Sequence, residues 1–314
     1  MVDVVSNDVS AIQPEVWSEM VQVPLYKSLV AMEVANVHEL NGFDTVHIQR
    51  FGDISAKTYT PGTNLSGTNQ DWSTDTIVIT TYKHASIYID DARKPTINID
   101  QWRELAQEEA YQIRNKIDQH VFNNITGSDG FTYTGVMAST LIGGVKNRPV
   151  SASSANIISL FANAKKILLQ QNVEQMGDWC AVVSPLVGAS IDIKAANSGF
   201  NVADATLRNG YAGNFMGFEV YISNNLPSGG CSTLNPILTA TPASATTCRA
   251  LYFGRKRMID LYMKAPTLSI RPEAQKIGSN YVTYAVYGSG VTTKNKSRGL
   301  NVCTDITYAG GSGG

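Results

Sequence analysis

The residue types that carry out chemistry are present in this chain, but not at the spacings that chemistry needs. Four histidines (His38, His47, His84, His120) and four cysteines (Cys180, Cys231, Cys248, Cys303) could ligate zinc. Structural zinc sites show ligand pairs two to five residues apart, and the sequence has none. Asp90 and Asp91 are adjacent carboxylates ending an extended run. Their side chains therefore point to opposite faces, which makes a poor general acid/base pair. Gly210, Gly213 and Gly217 have the wrong spacing for a dinucleotide turn, and no nucleophile elbow, H-E-x-x-H helix or phosphate loop occurs. Arg255-Lys256-Arg257 could touch phosphate, although a solvated or subunit-facing cluster between two strands is the favoured reading. The residues give no sign of catalysis, a cofactor or a metal.

Other features narrow the class. No apolar stretch approaches the roughly 20 residues that span a bilayer, and MVDVVSNDVS lacks the basic and apolar parts of a secretory signal. Cys231 and Cys248 bracket a Ser/Thr/Pro-rich loop. Without export the compartment is expected to be reducing, so idle thiols are favoured over a bridge. The sequons at Asn64, Asn124 and Asn295 then carry no meaning. Apolar residues make up 43% of the chain, which supports a folded core, whereas charged residues make up only 16%, below the usual quarter or so. Few charges among many Ser, Thr, Asn and Gly residues suit a surface kept against other protein.

The charges are also segregated. Residues 1–91 hold twelve acids against four bases, a net −8. Residues 249–298 hold ten bases against Asp260 and Glu273, a net +8. The formal total of −1 excludes a globally basic nucleic-acid binder. Two solvated faces would give this pattern, and so would head-to-tail pairing of identical subunits.

The elements that must carry these residues change type along the chain. Residues 1–43 read as a loosely attached arm with one helix from about Pro14 to Glu33. TVHIQRF, DISAKTY, TIVITTY and ASIYIDD read as strands. They form a two- to four-stranded projection whose loop, Thr60 to Ser73, is dense in turn formers. Such a ribbon is marginal in water and needs cover. Leu105, Ala106, Ala110, Ile113, Ile117 and Val121 recur at steps of three and four and predict a long helix over 98–124, with Asn98 or Asp100 as cap. A second helix is expected from Ser153 or Ser154 to Gln171, burying Ile157, Phe161, Ala164 and Leu168. Trp179 to Val183 reads as a buried strand. Ser184-Pro185 opens a helix to about Ala196, and GFEVYISNNLP is a strand ending in a turn. ALYFG, MIDLYMK and NYVTYAVYGSG give terminal strands before a flexible GGSGG tail. The fold class is α+β.

This order of elements resembles the major capsid proteins of tailed phages, the Hong Kong 97-like fold. Three stretches carry the resemblance: Ile87 to Ile125, with Ile117-Asp118 near the helix end; RNGYAGNFMGFEVYISNNLP (Arg208 to Pro227); and ALYFGRKRMIDLYM (Ala250 to Met263). Together they span about Asn41 to Asp305. The resemblance implies an N-terminal arm (1–43), an extended β-hairpin loop (44–91), a peripheral domain with spine helix (92–127 and 250–305), an apical domain (128–249) and a tail (306–314). It implies a non-enzymatic shell of hexamers and pentamers around double-stranded DNA, a virion protein assembled in the host cytoplasm. The implied partners are further copies of the chain, a separate scaffolding protein (no long segment precedes the arm), a portal and a decoration protein. Lys57 lies in the loop, but no asparagine can be singled out as a cross-linking partner.

In that layout the acidic arm and loop of one subunit would face the basic terminal strands of another. Tyr59, Leu65 and Trp72 are the expected apolar anchors of the contact, and Arg255, Lys256 and Arg257 the expected basic side. An encapsulin-like compartment shell is the alternative within the same fold. A β-rich enzyme or binding module without a short motif is the alternative outside it.

Overall fold

The computed structural model describes residues 29–91 apart from 41, 43, 53, 55, 66 and 68–71, together with 99–126, 130–134, 142, 149–173, 178–197, 213–229, 248–272 and 276–305. In chain order the first elements are α1 (Ala31–Val34), β1 (Asn36–Glu39), β2 (Thr45–Phe51), β3 (Trp72–Val78), β4 (Thr81–Asp90) and α2 (Ile99–Thr126). The middle holds β5 (Tyr133–Thr134), β6 (Val150–Ser151), α3 (Ile157–Gln170), β7 (Trp179–Val183), α4 (Pro185–Asn197), β8 (Asn214–Phe215), β9 (Phe218–Ile222) and β10 (Ser228–Gly229). The last are β11 (Cys248–Arg255), β12 (Asp260–Met263), β13 (Thr267–Pro272), β14 (Gly278–Gly290), α5 (Thr293–Lys296) and β15 (Leu300–Asp305).

Two sheets and a ribbon result. The long β14 pairs antiparallel with β12 and β13 along one edge and with β4 along the other, and β1 joins β12 in parallel. The larger sheet runs β5-β15-β11-β7-β9-β8, with β6 beside β15 and β10 beside β11. β2 and β3 form a separate antiparallel ladder from Thr45↔Val78 to Phe51↔Trp72. α2, 28 residues long and so about 42 Å at 1.5 Å per residue, packs along β14 and β4. It buries Ile113, Ile117, Val121, Phe122 and Ile125.

The core of the larger sheet is aromatic. Phe161 of α3 meets Phe215, Phe218 and Phe253 edge-on at 4.9, 5.8 and 5.1 Å, and Trp179 lies beside Phe218. The expected inward face of α3 (Ile157, Phe161, Ala164, Leu168) and the whole of β7 are buried.

Several expectations change. The stretch DISAKTY carries no strand at its described residues, and β3 begins at Trp72, inside the expected loop. TIVITTY is not one strand: the chain breaks at Ile79 and Thr80 between β3 of the ribbon and β4 of the body. The projection is therefore two-stranded. The crossing is tight, because a Cβ on Gly288 would lie 2.8 Å from the Val78 carbonyl oxygen and 2.9 Å from the Ile79 Cα. Glycine permits that approach. The end of the arm is not loose: Val30, Ala31, Val34 and Ala35 are buried, and the Asn36 amide donates to the Ile259 carbonyl at 2.7 Å. The expected helix at 14–33 falls outside the described residues except at its end, where α1 lies. The side chains of Leu105, Ala106, Cys231 and Cys248, the caps at Asn98 and Asp100, and the tail also lie outside them. β11 and β15 pair into the same sheet as β7, so hydrogen bonding runs across the expected boundary at 249/250.

Candidate subunit-contact surfaces

The ribbon is apolar where it leaves the body. Ile77, at the root of β3, is buried. At the far end of the ladder Phe51 and Trp72 stack edge-on with ring centroids 4.4 Å apart, and both remain exposed, Trp72 at 64%. Ile54, Tyr59 and Leu65 beyond them are exposed too, Leu65 at 83%. Lone surface hydrophobics are ordinary, but a contiguous apolar patch marks a contact surface. The structure thus places Tyr59, Leu65 and Trp72 on one projecting element and adds Phe51 and Ile54. Phe51 could have been read from the sequence as a residue on the outer side of the alternation in TVHIQRF.

One carboxylate ties the ribbon to the body. Asp75 of β3 accepts hydrogen bonds from the Thr293 amide (2.9 Å) and the Thr293 hydroxyl (2.6 Å), and the Arg50 guanidinium lies 3.9 Å away. Burial works to raise its pKa, but the two Thr293 bonds and the charges of Arg50 and Lys296 outweigh it and hold the carboxyl below its ordinary value. One acid of the negative segment and one base of the positive segment thus interact within a single chain.

The basic triplet lies at the turn after β11, and its members do different things. Arg255 pairs with Asp178 at 3.1 Å, with both groups partly exposed. Lys256 pairs with Glu219 at 2.5 Å and lies over the Tyr221 ring at 5.2 Å. Burial pulls the Lys256 pKa down, but the hydrogen bonds of Glu219 and Tyr221 outweigh it and raise it above the ordinary value. Arg257 sits in left-handed backbone at φ 64°, and its amide donates to the Val34 carbonyl at 2.7 Å. A non-glycine residue there costs of order 1 kcal/mol and persists only where its surroundings hold it.

The triplet lines a cavity of about 520 Å³ with Asp178, Met258, Asn295 and Arg298. Arg298 also borders a second cavity of about 500 Å³, lined by Arg50, Phe51 and Lys294 among others. The two cavities share Arg298, and their linings together are called the basic furrow. Asp178 and Glu219 were not legible as partners, being far from the triplet in sequence.

No nucleophile or metal centre accompanies these surfaces among the described residues. Burial pushes the Cys180 thiol up to about 12, which leaves it protonated and inert. No cluster of three or more metal-ligating side chains occurs among the described residues, and no helix there is long and apolar enough to cross a membrane.

The mixed α and β fold matches solved structures of phage capsids. A solved structure from Mycobacterium phage Che8 superimposes with a TM-score of 0.67 at 17% identity, covering 92% of this chain and 96% of that one. The capsid of the cyanophage P-SCSP1u gives 0.65 at 14% identity, covering 93% of each chain. The capsid of a native GTA particle gives 0.63 at 13% identity, covering 96% of this chain and 98% of that one. No curated protein sequence matches.

The family model described as phage capsid protein matches residues 73–300. The chain belongs to that family, and its function is that of a phage major capsid protein.

Proposed function

We propose that this chain builds an icosahedral shell of hexamers and pentamers in the Hong Kong 97-like manner, enclosing double-stranded DNA and catalysing no reaction. Residues 1–43 are the arm, 44–91 the extended loop, 92–127 and 250–305 the peripheral domain, 128–249 the apical domain and 306–314 a tail. The apical part shares its sheet with β11 and β15. The observation that carries the reading is the exposed pair Phe51 and Trp72 at the end of a two-stranded ladder, with exposed Ile54, Tyr59 and Leu65 in the segment that joins its strands. A hairpin of that kind is marginal alone, and a second copy covering it supplies the missing burial.

The basic furrow is the receiving surface in this reading. Lys256 and Arg255 are already neutralised by Glu219 and Asp178, so Arg257 and Arg298 are the groups offered to carboxylates of the neighbouring arm or loop. Interaction with DNA is non-specific, and assembly takes place in the host cytoplasm with a separate scaffolding protein, a portal and decoration proteins as partners. Expression of the chain with and without its neighbouring genes, followed by sedimentation and negative-stain imaging, tests the reading. Capsomers or shells are expected, with DNA inside particles made in the complete system. Particles holding an enzyme cargo would move the assignment to a compartment shell, and a small compact oligomer indifferent to concentration would overturn it.

A further inference from the structure

The most heavily bonded buried charge described in the chain belongs to neither contact surface. Asp118, on α2, is buried. Its Oδ1 accepts from the backbone amides of Val30 (2.9 Å) and Ala31 (2.7 Å), and its Oδ2 accepts from the Asn225 side-chain amide (2.9 Å). The same Asn225 nitrogen donates to Asn115 Oδ1 one turn earlier on α2 (2.7 Å). The Asn225 backbone amide donates to the Ser223 hydroxyl at 3.2 Å. Ser223, Asn225 and Asn115 are all buried. Three elements remote in sequence thus meet on one carboxylate: the start of α1, the spine helix, and the turn after β9.

The arrangement is specific in two ways. The first amides of a helix have no partner within it, and α1 has no side-chain cap of its own at Val30. Asp118 supplies that cap from another helix. The charge also does not act as a net stabiliser. Burial raises the Asp118 pKa, the bonds from Ala31, Asn225, Val30 and Ser223 lower it, and burial prevails. Ionised Asp118 therefore weakens the folded state relative to its protonated form. Buried charges kept at such a cost are known to fix register in some systems. Here the register fixed is that of Val30 and Ala31 against α2.

We propose that Asp118 is a positioning residue for the leading segment, and that it couples the root of that segment at Val30–Ala31 to the Ser223–Leu226 turn. A subunit contact that shifts the turn then shifts the segment's point of departure. The link is contiguous and short: Asn225 bonds Asp118, and Asp118 bonds the Val30 and Ala31 amides. The consequence for shell assembly rests on the arm reading above, whereas the coupling itself does not.

The test is hydrogen exchange on the full chain as unassembled subunits, comparing wild type, Asp118→Ala, Asn225→Ala and Asn115→Ala. Loss of bonds to a charged acceptor corresponds to roughly tenfold or more in local opening. In Asp118→Ala and Asn225→Ala, the peptide holding Val30 and Ala31 should exchange at least about tenfold faster, with β7 still protected. Should Asp118→Ala fail to fold, Asn225→Ala and Asn115→Ala carry the test. Unchanged exchange at Val30 and Ala31 in Asn225→Ala would overturn the coupling, and unchanged exchange in Asp118→Ala would overturn the positioning role. Variants that open the root yet assemble normally would leave the coupling standing and count against the arm's part in assembly.

Discussion

Replacing Trp72 by alanine separates the stability of the subunit from the stability of the shell. Trp72 is 64% exposed. A tryptophan side chain can bury up to about 250 Å², which leaves roughly 160 Å² for a neighbour to cover. At about 25 cal/mol per Å² this is worth at most ~4 kcal/mol per contact, and about half that once ordering costs are subtracted. Within the subunit the loss is the edge-on contact with Phe51, ~0.5–1.5 kcal/mol, plus at most ~2 kcal/mol for the roughly 90 Å² already covered. Trp72→Ala should therefore melt within a few degrees of wild type, while its critical concentration for assembly rises roughly thirtyfold, the factor matching ~2 kcal/mol. Light scattering against protein concentration reads the second quantity and circular dichroism the first. A critical concentration within twofold of wild type, with particles of normal form, would remove Trp72 from the contact and weaken the covered-ribbon reasoning.

Three further outcomes are expected. Asp75→Ala removes two hydrogen bonds from Thr293 and should loosen the root of the ribbon by ~2 kcal/mol, read as faster exchange of the Thr293 amide. Because the folded pKa of Asp75 is depressed, its contribution is complete above the ordinary carboxylate value near 4 and is lost as pH falls through the lower folded value. A wild-type ribbon root equally protected at about pH 2 and pH 6 would contradict this. Phe161→Ala, which removes a ring in contact with Phe215, Phe218 and Phe253, should cost about 3–5 kcal/mol of stability, measured by denaturant unfolding. If carboxylates of one subunit meet Arg257 and Arg298 of the next, assembly should weaken between about 0.1 M and 1 M salt, where the screening length falls from roughly 10 Å to 3 Å. Salt-indifferent assembly kinetics would exclude that pairing.

What the sequence made legible is what local periodicity encodes. The steps of three and four along α2 and α3, and the uninterrupted apolar run of β7, place those elements within a few residues of their observed limits. The exposure of Tyr59, Leu65 and Trp72 follows from turn formers around them. The rest depends on long-range pairing, which leaves no local mark. TIVITTY reads as one strand because its residues suit a strand throughout. Only the docking of Ile79 against Gly288 shows that the chain leaves one ladder there and enters another. β11 sits beside β7 through a pairing across some seventy residues, and β15 sits beside β5 and β6 through pairings across more than a hundred and fifty. Asp178 and Glu219 meet the basic triplet for the same reason, so two of that triplet's three charges are paired within the subunit.

That internal neutralisation changes what the segregated charge can do. A net +8 over residues 249–298 suggests a broad field, yet Arg255 and Lys256 are paired and Lys296 acts on Asp75. Three of the ten bases thus act inside the subunit, while Arg257 and Arg298 share a cavity. Exposed ion pairs contribute little each, so a subunit relying on them would bind loosely and in many registers. An apolar ribbon contributes more but selects poorly among positions. In the proposed contact, apolar area on the ribbon would supply strength, and two arginines at one place would supply register.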